Sequence, residues 1–347
     1  PENYTIVGKD KLRTDSFVKT NGTAPYSMDI EIDGMVYAMV EKPTPFGAKY
    51  ISSNLKEVKN EPGILDAFPT PNGVAVVGKN TWSVIKARKL LKVNWEKKNP
   101  VNNDSDLYQA HMLDLISEKA KSVRKEGKPN KVLKEKEDIF EVKYSLPFQT
   151  HAAMEPLNCV VDVKSNSCEI WVGTQNANNA IDRAHKITGI DKKNIKLNIT
   201  FLGGGFGRKA FNDWIDEGLY ISQKIKKPTK LIWMREDDTK HGFYRPSSLH
   251  HMVGAIKNKK INLWKHKVIS PDALGQQMVY QYGASLPGIA KGVMKLGIVK
   301  GMMSEIITEG AKNINYDFSN MLIEMKVFET DVPLGFWRAV YDSQNAF

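Results

Sequence analysis

Gly203-Gly204-Gly205-Phe206-Gly207-Arg208 is the stretch of this chain whose residue types and spacing most invite chemistry. Consecutive glycines let a backbone approach a ligand closely, and free N–H groups ahead of a helix attract anionic or oxygen-rich groups. The common phosphate-binding fingerprints do not fit. Arg208 stands where the dinucleotide motif needs its third glycine, and no Gly-Lys-Ser/Thr follows. Taken alone, the loop reads equally well as a tight strand-to-helix turn. Gln175, in Gly173-Thr174-Gln175-Asn176, is a second candidate, because a side-chain amide at a strand end can point at a ligand lying over the glycines.

Other polar clusters are poorer candidates. His151 and Glu155 are close in sequence, but their stretch follows a strand pattern and ends at Pro156, so it makes no helical metal pair. His250-His251 lies in alternating apolar sequence, which puts one ring in the core and the other toward solvent. Cys159 and Cys168 lack a second Cys/His pair, so neither a zinc site nor an iron–sulfur cluster is built from them. A disulfide between them across a hairpin stays open, with two free buried thiols the plainer reading. No Gly-x-Ser-x-Gly elbow and no Ser, His and Asp set stands out.

The elements that must position these groups show in the periodicity. A turn at Asp33-Gly34 predicts a hairpin of residues 26–32 with 35–41. Residues 73–77 read as a short buried strand, and Asn80-Thr81 caps an amphipathic helix carrying Trp82, Ile85, Ala87 and Leu90. The polar, Lys/Glu-rich stretch that follows contains one helix-periodic run, from Leu107 to Ala120. From Ile139 onward strand and helix alternate: a strand to Leu146, a hairpin of 159–163 with 169–172, a helix over 177–187 and a strand over 195–202. That last strand runs into the glycine loop, and a helix then reaches Ile225. Residues 270–312 have no assignable period.

At 347 residues the chain exceeds the ~250–300 at which single cores stop growing, so at least two domains are expected. Its 41% hydrophobic and 26% charged residues exclude a disordered or collagenous chain. No apolar run approaches the ~20 residues that span a bilayer, and the first thirty residues show no signal pattern. A net charge of +11 raises nucleic acid as a partner. Only eight of the 50 basic residues are Arg, however, and the lysines sit in mixed runs such as Lys134-Glu135-Lys136-Glu137, so a solvated face is expected and no nucleic-acid partner.

The order of several motifs resembles the molybdopterin-binding large subunit of the xanthine oxidase family of molybdenum hydroxylases, and most its isoquinoline 1-oxidoreductase beta subunits. The resemblance is carried by Tyr26-Ser27-Met28-Asp29-Ile30, Gly73-Val74-Ala75-Val76-Val77, Thr150-His151-Ala152-Ala153-Met154-Glu155-Pro156, Gly173-Thr174-Gln175-Asn176, the glycine loop, Trp233-Met234-Arg235-Glu236-Asp237-Asp238, Phe243-Tyr244-Arg245-Pro246 and Gly335-Phe336-Trp337-Arg338. It implies an α+β fold: an N-terminal α/β hammerhead domain over 1–100, a connector with a helix over 101–138, and part of a mixed α/β molybdopterin-binding domain over 139–347.

The resemblance also implies a site. Gln175 would hydrogen-bond the apical ligand of molybdenum, Gly204, Gly205, Phe206, Gly207 and Arg208 would lie against the cofactor, with the backbone of 205–207 at its dithiolene end, and Arg338 would brace it. The metal would be held by the pterin's sulfurs, with no metal ligand in this chain. The cofactor implied is molybdopterin carrying molybdenum, in its cytosine dinucleotide form, with [2Fe-2S] clusters on a small partner subunit. The implied reaction is hydroxylation of an electron-poor carbon in an N-heteroaromatic substrate, with water as oxygen source. An aldehyde oxidoreductase of the same family is the rival enzyme reading, and a non-catalytic anion- or nucleic-acid-binding module the rival outside enzymes. Ala210 stands after Lys209 where the family's purine oxidisers carry Glu, which disfavours purines, and Tyr341 stands where relatives often have glycine. The family's catalytic glutamate lies downstream of the Arg338 motif and is expected beyond Phe347, so no catalytic residue is assigned here. The resemblance further implies chain beyond both ends, often opening with a twin-arginine export signal, which favours a periplasmic location.

Overall fold

Gly73–Gly78 is a strand buried at every position, as its unbroken small-apolar sequence requires. It pairs antiparallel with Val36–Glu41 on one side and Ile64–Thr70 on the other. The computed structural model describes residues 2–44, 46–96, 104–135, 138–282 and 304–346. Within it, Val36–Glu41 also pairs in parallel with Thr229–Ile232, so strands from the first eighty residues share a sheet with strands from beyond residue 150. The seven-stranded order is Ile195–Ile199, Cys168–Val172, Asn158–Val163, Thr229–Ile232, Val36–Glu41, Gly73–Gly78, Ile64–Thr70.

The two faces of this sheet follow from the two-residue period of its strands. Val36, Ala38, Val40, Ala75 and Val77 join one core with Ala180 and Ala184 of helix Ala177–Thr188 and with Trp214, Ile215 and Leu219 of helix Asp213–Ile225. Met39 and Val76, one position out of phase, join Val84 and Ala87 of helix Thr81–Leu90 on the other face. The Asn80 side chain caps that helix by accepting from the Ser83 N–H, as its position predicts.

A second, five-stranded sheet runs Lys121–Glu126, Met321–Val327, Lys260–Ser270, Ser248–Lys257, Ile139–Leu146. Its long hairpin turns at Asn258 and Lys259, which have φ of 53° and 60°, the pair of left-handed residues a two-residue turn uses. The molecule is thus a mixed α/β assembly of the α+β type.

Several local expectations give way. Residues 26–32 make no hairpin partner for 35–41; Ser27–Asp29 is a 3₁₀ turn whose Asp29 carboxylate accepts the Tyr26 N–H. That side-chain bond competes with strand pairing. Tyr26 bridges Phe201 instead, and the Val36 N–H goes to Pro228 O. The helix expected over 107–120 is Ser105–Asp114, capped by Asp104, and Lys121–Glu126 is an edge strand pairing with Met321–Val327. His250 and His251 are both buried, because their strand lies between two others. His250 bonds His266, and His251 faces Glu141. Both cysteines are free and buried; Cys159 lies opposite Leu231 and Cys168 opposite Val163, so their ladder positions do not bring them face to face. The unassigned stretch after residue 270 contains helix Ala273–Tyr282 and the 3₁₀ turn Ser304–Thr308, with 283–303 outside the described residues.

Candidate functional site

Cys168–Val172 and Ile195–Ile199 are adjacent and parallel, with Val172 opposite Ile199. Their carboxyl ends therefore open at the same edge of the sheet, where ligands of open α/β sheets bind. One strand leads into Gly173-Thr174-Gln175-Asn176 and the other into the glycine loop, which brings together groups separated in sequence.

The loop's conformation demands its glycines. Gly204 and Gly207 have φ of 95° and 98°, and Phe206 between them is left-handed at 49°. A methyl carbon built on Gly205 would lie 2.5 Å from Gln175 Oε1, and one on Gly207 would lie 1.8 Å from Phe336 O. Gln175 Oε1 accepts the Gly207 N–H at 3.0 Å, and the Gln175 N–H donates to Lys209 O at 3.0 Å. Because Gln175 Oε1 is held in this way, the amide's NH₂ end is directed elsewhere. Gln175 is exposed, and its Nε2 has no partner among the described residues. The N–H groups of Gly204, Gly205 and Phe206 likewise make no hydrogen bond among the described residues. Four donors thus stand unpaired at one end of the sheet.

Beneath the loop lies a buried charge network. Arg208 is fully buried, donates to Asp213 at 2.5 and 2.9 Å, and lies 3.5 Å from Asp238. The rings of Trp214, Trp233 and Phe243 surround its guanidinium, at 5.7, 5.4 and 5.1 Å. Burial works against the Arg208 charge, but Asp213 and Asp238 outweigh it and raise the guanidinium above its ordinary value. Lys209 donates to Glu155 Oε2 at 2.6 Å, and the same carboxylate oxygen accepts the Gly203 N–H at 3.0 Å. Ser27 and Asn158 donate to the other oxygen of Glu155, at 3.1 Å each. Burial pushes Glu155 up, while Lys209 and the Gly203 N–H more than offset it, so the carboxyl sits below its ordinary range.

Of the residues singled out in the sequence, Gln175, Gly204, Gly205, Phe206 and Gly207 converge. The Arg208 side chain turns into the interior, so it underpins the loop from below. Arg338 is exposed, in the turn after Phe336, whose carbonyl packs on Gly207; among the described residues it makes no ion pair or hydrogen bond. The His151 to Glu155 stretch, read from sequence as no helical metal pair, touches the loop in another way: Glu155 accepts from Lys209 and Gly203, and His151 contacts the Phe336 carbonyl that packs on Gly207. Its usable signal was a second basic residue, Lys209, directly behind the glycines. Among the described residues no group of three or more His, Cys, Asp or Glu is placed to hold a metal ion.

The buried histidines make the fold acid-sensitive. Burial first, and neighbouring positive charge next, hold His250 down to about 3, while burial also holds His151 and His266 down to about 4. In the unfolded chain these rings return to about 6.5, so unfolded protein takes up protons first. Their contribution is intact above pH 6.5 and is lost as pH falls toward 4. At pH 5 each ring should cost roughly 2 kcal/mol relative to pH 7.5. Urea midpoints at the two pH values measure this, and an unchanged midpoint would contradict it.

Comparison with known proteins follows the same lines. Residues 114–279 match the molybdopterin cofactor-binding domain. Isoquinoline 1-oxidoreductase subunit beta of Brevundimonas diminuta is 32% identical over 296 residues, covering 81% of this chain and 38% of that protein. The aldehyde oxidoreductase molybdenum-binding subunit of Escherichia coli strain K12 is 24% identical over 294 residues, 77% of this chain and 40% of that protein. This chain therefore spans about two fifths of the length of these relatives. The fold is similar to the crystal structure of quinoline 2-oxidoreductase from Pseudomonas putida 86, with a TM-score of 0.66 and 15% identity, covering 96% of this chain and 46% of that one.

Proposed function

We propose that this chain, which carries the molybdopterin cofactor-binding domain, is part of the large subunit of a molybdenum hydroxylase of the xanthine oxidase family that oxidises a ring carbon of an N-heteroaromatic substrate, with water as oxygen donor. Relatives named for isoquinoline and quinoline support that substrate class. A relative named an aldehyde oxidoreductase supports the second reading, oxidation of aldehydes.

The residues fit the cofactor. A molybdopterin presents oxygen and sulfur acceptors, and the site offers the unpaired Gln175 Nε2 and the Gly204, Gly205 and Phe206 amides on a backbone bare of side chains. Gln175, the loop backbone from Gly204 to Gly207 and the exposed Arg338 would hold it, with Arg208 and Lys209 fixing the loop from below. When bound, the cofactor supplies the two-electron oxidation of the substrate carbon, in this reading from a cytosine dinucleotide form and with electrons leaving to [2Fe-2S] clusters on a small partner subunit. Gln175 donates a hydrogen bond whose direction the Gly207 N–H dictates. Glu155 keeps Gly203 and Lys209 in place, and buried Arg208 keeps water out from under the loop. None of the described side chains is assigned as the catalytic base.

One observation carries the reading: the Gln175 amide is held by its oxygen so that its NH₂ end is left for a ligand. The test uses the longer gene product expressed with its partner and maturation machinery. Elemental analysis should find about one molybdenum per large subunit, and Gln175→Leu should lower kcat by roughly 10–100-fold, the usual effect of removing a partner that orients a metal's ligand. Absence of molybdenum would sink the proposal. Turnover of aldehydes without turnover of isoquinoline would favour the second reading. Retention of nucleic acid on filters at low salt would favour a basic binding module.

A further inference from the structure

His151 is buried where three segments cross, and both of its ring nitrogens face backbone carbonyl oxygens. Nε2 lies 2.7 Å from Phe336 O and Nδ1 lies 3.1 Å from Phe243 O. We propose that His151 is a positioning residue, whose Nε2–H holds the Phe336 carbonyl, and with it the turn carrying Arg338, against Gly207 of the glycine loop.

The Phe336 carbonyl is the pivot. It is the atom that a methyl group on Gly207 would strike at 1.8 Å, so its placement sets how closely the segment 335–338 approaches the loop. Other contacts of the segment lie on both sides of that point. Leu334 bridges Tyr244, the Gly335 N–H donates to Tyr244 O, and the Phe336 ring lies 6.0 Å from Phe211. Beyond Phe336, the Trp337 ring lies 5.1 Å from the Arg245 guanidinium and Trp337 O accepts the Val340 N–H within its own turn, while Arg338 has no partner among the described residues. Among the described residues, His151 therefore supplies the last hydrogen bond from another segment before Arg338.

The chemistry of the ring is specific to this task. Burial, against the pull of the Phe336 carbonyl and aided by the Arg208 charge, keeps the ring neutral at pH 7, with its pKa held down to about 4. A neutral imidazole has one N–H, and two carbonyls cannot both receive it. The shorter contact assigns the proton to Nε2, so the Phe243 side is left as two lone pairs in contact, an unfavourable term that persists because the other bond is kept. A purely space-filling residue at this position would need neither nitrogen.

Hydrogen exchange on the full-length large subunit tests this directly. In His151→Leu, amides over 335–340 should exchange at least about tenfold faster than in the wild type, while those of strand Thr229–Ile232 should not change. His151→Gln, which keeps a donor of similar reach, should restore protection to within about threefold; His151→Asn, one methylene shorter, should not. The Gln and Asn pair decides the question even if the Leu variant fails to fold. Unchanged exchange in Asn and Leu, or a Gln variant as open as Asn at equal melting temperature, would overturn the proposal. A second arm rests on the cofactor reading: pterin fluorescence after oxidation should be at least about threefold lower in Asn than in Gln. If the wild type itself lacks pterin, the cofactor reading fails, and the exchange result still decides the role of His151.

Discussion

Gly207→Ala is expected to cost about 3–5 kcal/mol of stability and to empty the site of cofactor. Two separate effects add at this residue. Its φ of 98° is a conformation that an L side chain rarely adopts, and forcing one there costs of order 1–2 kcal/mol. The larger effect is steric, because the new methyl would lie 1.8 Å from Phe336 O. That obstacle is backbone, so a rotamer change cannot relieve it; either the glycine loop or the 335–338 segment must move. The chain contains its own control. Gly189 has φ of 74° with nothing within 4 Å of an added methyl. Gly189→Ala should therefore cost about 1–2 kcal/mol, from conformation alone. Urea unfolding of both variants reads the difference, and equal costs would mean that the carbonyl does not sit on Gly207.

Arg208→Met is the second large change. Removing one member of a buried ion pair leaves the other charge uncompensated, which costs about 3–5 kcal/mol. Here two carboxylates are affected, since Asp213 loses hydrogen bonds at 2.5 and 2.9 Å and Asp238 loses a charge 3.5 Å away, keeping only Arg235 among the described residues. In the wild type, burial pushes Asp213 up and Arg208 more than reverses it, so the carboxyl lies below its ordinary value. Without Arg208 the upward push of burial is opposed only by the smaller pulls of Arg183 and of the Asp213 backbone N–H. Asp213 then binds a proton more readily folded than unfolded, and the deficit of the variant should shrink as pH falls from 7 toward 5. The double variant Arg208→Met with Asp213→Leu should recover part of the loss, because no unpaired charge is left between them. A deficit that does not vary with pH, or a double variant no better than the single, would show that the pair does not act as a unit.

Both residues lie in the six-residue glycine stretch that is the clearest feature of the sequence, yet their roles separate only in three dimensions. That glycines follow a strand and precede a helix was legible from periodicity, and so was a strand-end Gln175. The inward turn of Arg208 was not, since an arginine beside a glycine loop reads naturally as a ligand contact. Its aromatic surroundings come from Trp214, Trp233 and Phe243, and its main partner Asp213 sits in the first turn of the following helix. The Glu155 to Lys209 pair, 54 residues apart, was equally hidden, because the spacing of His151 and Glu155 was weighed against metal geometry alone.

Local physics determined what the sequence could disclose by itself. The Asn80 cap, the hairpin of Asn158–Val163 with Cys168–Val172, the buried run Gly73–Gly78 and the helix that ends at Ile225 each depend on a few neighbouring residues. The motif order likewise sufficed to find the resemblance that the matched molybdopterin cofactor-binding domain bears out. Tertiary structure alone decided the long-range pairings: Val36–Glu41 with Thr229–Ile232 in place of a hairpin, Lys121–Glu126 as an edge strand, and both His250 and His251 buried within one strand. The reason is that strand pairing takes its free energy from surface buried between distant segments. A local pattern records which face of a strand is apolar and says nothing about which partner will cover it.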